Sequence, residues 1–108
     1  MTWSFEDPDE RVRTEIRNLP EDMQARYLRF ADLLVEFGPQ QVGMPYVRPL
    51  GNKLWEMRLR GRAGIGRILY AALPGQRLVL LHAFIKKTQE TPRRAIETAL
   101  IRLKATHQ

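Results

Sequence analysis

The stretch LWEMRLRGRAGIGRILYAALPGQRLVLLHAFI (residues 54–85) decides the fold, because it contains three consecutive segments with the character of β-strands. Apolar and charged side chains alternate over residues 54–60, which is the period of a strand with one buried face. Residues 65–73 are apolar apart from Arg67, and residues 77–85 are apolar on both faces, as in a covered strand. Short turns rich in glycine and proline separate the segments, and such turns join antiparallel neighbours. We therefore predict a three-stranded antiparallel meander.

Apolar residues at helical spacing precede these strands. Asp7 and Pro8 predict the start of a first helix, with Asp7 as its cap and Pro8 at its first position. Pro20 begins a second helix, whose apolar stripe ends at Gly38 and Pro39, a left-handed cap followed by a helix breaker. The two helices predict an N-terminal helical hairpin.

The remaining segments complete the predicted architecture. Thr91 and Pro92 predict the cap and first position of a C-terminal helix. The proline- and glycine-rich residues 39–53 predict a connecting loop, and residues 2–5 a short strand. The chain is thus expected to form one domain over residues 1–108 with an α+β fold, in which the helical hairpin packs on a small antiparallel sheet and the C-terminal helix follows.

Charge is distributed unevenly along the 108 residues. Residues 1–40 hold five arginines and nine acidic residues, a net charge of −4, whereas residues 41–108 hold thirteen basic and three acidic residues, a net charge of +10. Fourteen of the eighteen basic residues are arginine, whose planar donors match phosphate oxygens and stack on bases. This distribution favours a polyanionic partner such as nucleic acid.

Several classes of protein are excluded by composition. The chain has no cysteine, which excludes disulfides and thiolate metal sites and is compatible with a reducing, cytoplasmic setting. Its start lacks the basic and apolar regions of a signal peptide, and no apolar run approaches the roughly 20 residues of a membrane span. We expect a cytoplasmic protein with no membrane partner, no metal and no cofactor.

Four cations lie on or at the ends of the predicted strands, namely Arg58, Arg67, Lys86 and Lys87. Guanidinium groups can bind two phosphate oxygens and stabilise the extra charge of a pentavalent phosphorane, while lysine can transfer protons if its pKa is lowered. This set is compatible with RNA cleavage that needs no metal. The alternative is structural, with Arg67 paired to Glu56 across the ladder and the lysines exposed to solvent.

Aromatic residues and His82 are less specific signals. His82 and Tyr70 lie in apolar strands, where a core position is the commoner role, although either could transfer a proton. Trp55 and Phe84 also lie on strands and are expected in the core. Tyr46 lies in the proline-rich segment and is the better candidate for stacking on a base.

Four segments together resemble the RelE/ParE toxin superfamily, specifically its phage-derived, HigB-like branch. They are MPYVRPLGNKLWEMRLR (44–60), GRILYAAL (66–73), LLHAFIKKTQETP (80–92) and RRAIETALIRL (93–103). The resemblance covers nearly the whole chain, and KKTQETP is its most specific part. Met57 and Ala83 depart from the usual leucine and glycine, and no tyrosine stands near the C-terminus.

The resemblance implies the toxin of a type II toxin–antitoxin pair that cuts mRNA on the ribosome and so inhibits translation. Carried over residue by residue, Arg58 and Arg67 would bind the scissile phosphate, and Lys86 and Lys87 would bind phosphate or assist proton transfer. A further set would contact RNA: Arg60, Tyr46, Lys53, Tyr70 and His82. The general acid and base stay open, because some members use a C-terminal tyrosine that is absent here.

The implied partners are mRNA on the ribosome and a small antitoxin with a helix-turn-helix, HigA-like DNA-binding domain. Two alternatives stay open at this point. A ParE-like toxin of the same superfamily would inhibit a DNA topoisomerase (gyrase) and cleave no RNA. A non-catalytic module would bind RNA in a regulatory role, with a steep dependence on salt.

Overall fold

A five-stranded sheet with helices on both faces forms the described part of this computed structural model, which comprises residues 2–6, 9–43, 46–86 and 90–106. The elements in chain order are β1 (Ser4–Phe5), α1 (Glu10–Arg17), α2 (Glu21–Val42), β2 (Val47–Gly51), β3 (Leu54–Gly61), β4 (Gly64–Leu73), β5 (Arg77–Lys86) and α3 (Arg93–Thr106). The strand order is β1-β5-β4-β3-β2. The α+β prediction is confirmed. Among the described helices, none is long and apolar enough to cross a membrane.

The predicted meander is confirmed, and the sheet extends beyond it at both edges. Strands β3, β4 and β5 pair antiparallel in sequence order. At one edge β1 pairs parallel with β5, and at the other edge β2 pairs antiparallel with β3. The sheet is therefore larger than the three strands predicted, and β4, which is apolar apart from Arg67, is its central strand.

The prediction of a loop over residues 39–53 is wrong, because residues 39–42 form a further helical turn beyond an interruption at Gly38 and Val47–Gly51 form the edge strand β2. Pro49 is tolerated there, since an edge strand leaves one side without a partner that would need the missing N–H. Val47 is fully buried opposite Met57, so an apolar side chain anchors this edge to the core. The prolines and glycines of this segment are typical of a loop, and for that reason the sequence did not predict the strand.

Helix starts differ from prediction by a few residues. Asp9 caps α1, since its side chain accepts the N–H of Val12 at 3.1 Å, while Asp7 and Pro8 lie outside the described residues. Helix α3 begins one residue after Pro92, whose carbonyl accepts the N–H of Ala95 at 3.0 Å. The hydroxyl of Thr91, predicted to cap this helix, donates to a carboxylate on the sheet.

The core has two parts, one on each face of the sheet. Helices α1 and α2 cover one face, where they bury residues including Val12, Met23, Phe30 and Leu34 against Met57, Leu59, Ile68 and Tyr70. Helix α3 covers the other face with Ala95, Ala99 and Leu103, which pack on Leu54, Leu69, Ala71, Val79 and Leu81. These contacts lie toward one end of the second face. The opposite end, near the β3–β4 turn, carries charged residues.

A kink in α2 depends on a glycine that packs against the N-terminal segment. Gly38 has φ of 81°, a conformation that L side chains rarely adopt. A Cβ at this position would overlap the indole of Trp3, and the adjacent backbone holds Trp3 through a 2.8 Å hydrogen bond from its N–H to the carbonyl of Val35. The kink therefore lets the end of α2 close over Trp3.

We expect Gly38→Ala to destabilise the protein more than Gly51→Ala. Gly51 also has a positive φ, of 89°, but no atom lies within 4 Å of a Cβ built there. Alanine costs about 1–3 kcal/mol in a sparsely populated backbone region such as these, and overpacking against Trp3 adds about 1–3 kcal/mol at Gly38 alone. Urea unfolding of both variants measures the difference. Equal losses would show that Trp3 does not oppose a side chain at Gly38.

Candidate cationic site

Strand register aligns the predicted site residues in rows across the sheet. Arg58 on β3 lies opposite Arg67 on β4, and Arg67 lies opposite Phe84 on β5. The next row, toward the β3–β4 turn, joins Arg60, Ile65 and Lys86. Residues two apart on a strand share a face, so all of these lie on the face that carries α3, at its uncovered end. Two arginines stand directly opposite one another, an arrangement that needs an anion.

The anion is the carboxylate of Glu56, which is 0% exposed. Its Oε1 lies 3.2 Å from Nε of Arg48 and 3.4 Å from Nε of Arg58, and its Oε2 lies 3.7 Å from a terminal nitrogen of Arg67. The pairing of Glu56 with Arg67, which the structural alternative predicted, is therefore confirmed. Three guanidinium groups around one carboxylate leave an excess of two positive charges, which favours the approach of an anion.

Arg48, Glu56, Arg58 and Arg67 form a cationic cluster, and the hydroxyl of Thr91 lies at its centre. It donates to Oε2 of Glu56, and it accepts from Arg48 at 3.2 Å and from Arg67 at 3.3 Å. A residue just before α3 is thereby joined to strands β2, β3 and β4. The connection between β5 and α3 is anchored at its C-terminal end by this hydroxyl.

Exposure decreases from the edge of the sheet inward. The exposed fraction of the side chain is 33% for Arg48, 18% for Arg58 and 0% for Arg67. Burial lowers the pKa of Arg67; the charge of Glu56 opposes this, and the charges of Arg58 and Arg48 lower the pKa further. The guanidinium remains protonated at neutral pH. Arg48 and Arg58 thus present the accessible part of the cluster, with Arg67 beneath them.

Sequence reasoning missed Arg48, because it placed this residue in a loop. Arg48 could have been identified by pairing residues 47–51 with β3, because that pairing places Arg48 opposite Glu56. Arg48 and Glu56 are direct cross-strand neighbours, and opposite charges at such positions attract.

Two of the predicted RNA-contacting residues lie beside this cluster. Arg60 is exposed in the row next to Arg58, and Tyr46 is 47% exposed just before β2. The carbonyl of Tyr46 accepts the N–H of Arg58 at 2.9 Å, and its ring lies 5.0 Å from that of Phe30. Lys86, at the end of β5, is half-buried opposite Ile65. Lys87 lies outside the described residues.

Lys53 and Tyr70 are not brought to the cluster. Lys53 lies in the β2–β3 turn, five residues from Arg58 and therefore about 16 Å away along the strand, where it lines a cleft of about 670 Å³ with Trp3 and Trp55. Tyr70 is fully buried in the core beneath α1 and α2, on the face opposite to Arg67. Burial raises the pKa of Tyr70, and its hydroxyl has no hydrogen-bond partner among the described residues. The Tyr70 ring has no surface accessible to RNA.

His82 belongs to a second network, centred on Glu15. Oε1 of Glu15 lies 3.0 Å from Nδ1 of His82, accepts the N–H of Ala83 at 3.1 Å, and accepts from Arg102 at 2.9 Å. A second nitrogen of Arg102 donates to Oε2 at 3.0 Å, so the pair is bidentate. The network joins α1, β5 and α3 where the β4–β5 register shifts. His82 is therefore a hydrogen-bonded histidine, which is the role that its apolar strand favoured in the sequence analysis.

The hydrogen bonds to Glu15 outweigh its burial. Burial raises the pKa of Glu15, but hydrogen bonds from Arg102, His82 and Ala83, together with the charge of His82, bring it below its ordinary value of 4.5. A carboxyl group with a lowered folded-state pKa stabilises the protein above its unfolded-state pKa, and this contribution is lost as the pH falls through the folded-state value.

We expect Glu15→Gln to lower the free energy of unfolding by about 1.5–3 kcal/mol at pH 7, since it weakens hydrogen bonds to charged groups. The difference from wild type should shrink as the pH falls below 4.5, because Glu15 becomes protonated in the wild type. Thermal unfolding of both proteins between pH 3 and pH 7 measures this difference in stability. Glu10→Gln, on the exposed side of the same helix, is the matched control. A difference that persists unchanged at low pH would contradict the role of the Glu15 charge.

Potential metal ligands do not cluster in the described part of the chain. Across residues 2–6, 9–43, 46–86 and 90–106, no group of three or more histidine, cysteine, aspartate or glutamate side chains is placed to hold a metal ion. The cationic site itself combines guanidinium groups and the Thr91 hydroxyl with the carboxylate of Glu56.

The family of the chain is shown by comparison with known proteins. The profile of the family described as "Phage derived protein Gp49-like" matches residues 14–104, a span that includes Arg48, Glu56, Arg67 and Thr91. The chain therefore belongs to the Gp49-like family, a RelE-type toxin family of toxin–antitoxin systems. Membership in a toxin family implies an antitoxin as partner. No curated protein matches the chain.

Proposed function

We propose that this protein is a HigB-like toxin with a RelE-like arrangement, and that it is a ribosome-dependent endonuclease that cuts mRNA and inhibits translation. The observation that carries the proposal is the convergence of Arg48, Arg58 and Arg67 on the single carboxylate of Glu56, with an excess of two positive charges. The net charge of +10 over residues 41–108 supports a polyanionic substrate.

The proposed reaction is attack of a ribose 2′-oxygen on the adjacent phosphorus. The bond from phosphorus to the 5′-oxygen breaks, which leaves a 2′,3′-cyclic phosphate upstream and a 5′-OH downstream. The 2′-OH loses its proton to a base, and the leaving 5′-oxygen gains one. Negative charge builds on the non-bridging oxygens in between, where preorganised cationic donors lower the barrier most.

Each cation has a role in this proposal. Arg58 contacts the scissile phosphate, and Arg67 supports that contact from beneath with its buried charge. Lys86 and Lys87 bind phosphate or assist proton transfer. Arg60 extends the cationic surface along the RNA backbone, and the half-exposed ring of Tyr46 stacks on a base.

The proposed neutralising partner is a helix-turn-helix, HigA-like antitoxin, with both proteins in the cytoplasm. An acidic segment of the antitoxin that covered the cationic site would be drawn to it electrostatically. Neutralisation would then follow from exclusion of RNA.

The full burial of Arg67 favours two alternative functions. A guanidinium with no exposed surface does not touch substrate, and an arginine that only stabilises the sheet is compatible with a non-catalytic RNA-binding module or with a ParE-like inhibitor of DNA gyrase. These functions differ from the proposed one in their products, since neither cuts RNA.

Primer extension on mRNA from a reconstituted translation reaction tests the function. We expect discrete cuts that require ribosomes and leave 5′-OH ends when the purified protein is added. Cuts on naked RNA would indicate a ribonuclease independent of the ribosome. Intact mRNA in the presence of folded, growth-inhibiting protein would contradict the nuclease function, and a gyrase supercoiling assay would then test the ParE-like alternative.

Arg58→Ala and Lys86→Ala should each lower the rate of cleavage by about 10²–10³-fold, as loss of a group that stabilises the transition state does. Arg67→Ala is a poor test, because removing one partner of a buried ion pair costs about 3–5 kcal/mol of stability. Arg77→Ala is the matched control, since Arg77 lies at the opposite end of β5 and pairs with Glu6 at 2.8 Å. If both variants fold and cut mRNA at the wild-type rate, these residues are not the site.

A further inference from the structure

The two oxygens of the Glu56 carboxylate have different partners. Oε1 contacts Nε of Arg48 and Nε of Arg58, the two arginines whose side chains are partly exposed. Oε2 receives the Thr91 hydroxyl and faces the buried Arg67. Oε1 therefore accepts a hydrogen bond from Arg48 and forms an ion pair with Arg58 on the accessible side, whereas Oε2 is held by the interior.

The contacts of Arg48 use one edge of its guanidinium. Nε donates to Glu56 and the adjacent terminal nitrogen donates to Thr91, at 3.2 Å each. A third of the side chain remains exposed. A planar guanidinium held along one edge can still offer donors along another, which is how arginine binds two oxygens of a phosphate.

Neutralising a buried arginine requires one carboxylate, but three arginines meet here. A structural pair of Glu56 with Arg67 would be complete without Arg48, which reaches inward from the edge strand. The excess of two positive charges exceeds the single charge of a phosphodiester. It matches in magnitude the two negative charges of the phosphorane dianion formed during cleavage. The cluster therefore complements the transition state better than the ground state.

We propose that Glu56 is a positioning residue, fixed by Thr91, that holds Arg48 and Arg58 as a pair of ligands for one RNA phosphate. The proposal rests on the proposed function for the identity of the substrate, and it adds Arg48 to the groups that touch it. Glu56 itself touches no substrate. It sets the direction of the two guanidinium groups and offsets the charge of Arg67 beneath them.

Glu56→Gln separates positioning from binding, because glutamine keeps the size of the side chain and removes its charge. We expect the affinity for a short 2′-O-methyl RNA, which lacks the nucleophile, to stay equal or rise, since a repelling charge is lost. The cleavage kcat should fall about 10²-fold, as it does when catalytic groups are misplaced by about 1 Å. KM should not rise. Glu6→Gln, the same charge change on the surface pair with Arg77, should alter neither quantity by more than about twofold, as expected of exposed pairs.

Arg48→Ala should weaken binding of the same 2′-O-methyl RNA by about tenfold, within the range for a charge-assisted contact. Thr91→Val removes the hydroxyl without changing any charge. It should lower kcat with no gain in affinity, and Thr91→Ser should restore kcat. Circular dichroism of each variant reports whether the fold is retained.

Wild-type kcat and KM in folded Glu56→Gln would overturn the proposal, and so would parallel losses of kcat and affinity that only follow the folded fraction. If Glu56→Gln does not fold, an unchanged kcat in Thr91→Val would overturn it equally. A wild-type protein that binds 2′-O-methyl RNA through Arg48 but cuts no mRNA would contradict the proposed function. A loss of affinity in Arg48→Ala would then still support Arg48 as a phosphate ligand.

Discussion

The burial of one carboxylate, that of Glu56, is the constraint on which the rest of the site depends. Two arginines lie directly opposite each other on adjacent central strands, and without an anion between them their repulsion and desolvation would oppose the pairing of β3 with β4. Glu56 provides that anion and also draws in Arg48 from the edge strand. Thr91 completes its coordination and ties the segment before α3 to the sheet. A single charge thus organises four segments of the chain.

Apolar packing and the cationic site occupy opposite ends of the same strands. On the face under α3, the half toward the β4–β5 turn is aliphatic and packs against the helix, while the half toward the β3–β4 turn carries the cations. The opposite face is apolar and covered by α1 and α2. Because the helices stabilise the sheet elsewhere, the cationic end can retain an excess of positive charge that a core would not tolerate. This arrangement keeps a charged surface on a fold that is stabilised elsewhere.

Much of the architecture was predictable from local patterns. Alternation in residues 54–60 and the two apolar runs after it predicted β3, β4 and β5, and caps and prolines predicted the three helices to within a few residues. The pairing of Glu56 with Arg67 was also predictable, since a lone arginine in an apolar strand needs a partner. Strand β2 was not, because Pro49 and its neighbouring glycines resemble a loop, and the strand exists only through its pairing with β3 and the burial of Val47. Arg48 was lost with it.

The sequence by itself determined the secondary structure of the central strands, the uneven charge, and the family, since these depend on local residue patterns and on motifs. Only the tertiary structure decided which charges meet. Arg48, Glu56, Arg67 and Thr91 come from separate segments, and the contact between Glu56 and Thr91 joins residues 35 positions apart. Strand register and burial set such contacts, and both are fixed by packing among elements far apart in sequence. The same packing buries Tyr70 beneath the helices and pairs His82 with Glu15. Local sequence patterns could not show that these two residues lie away from the cationic site.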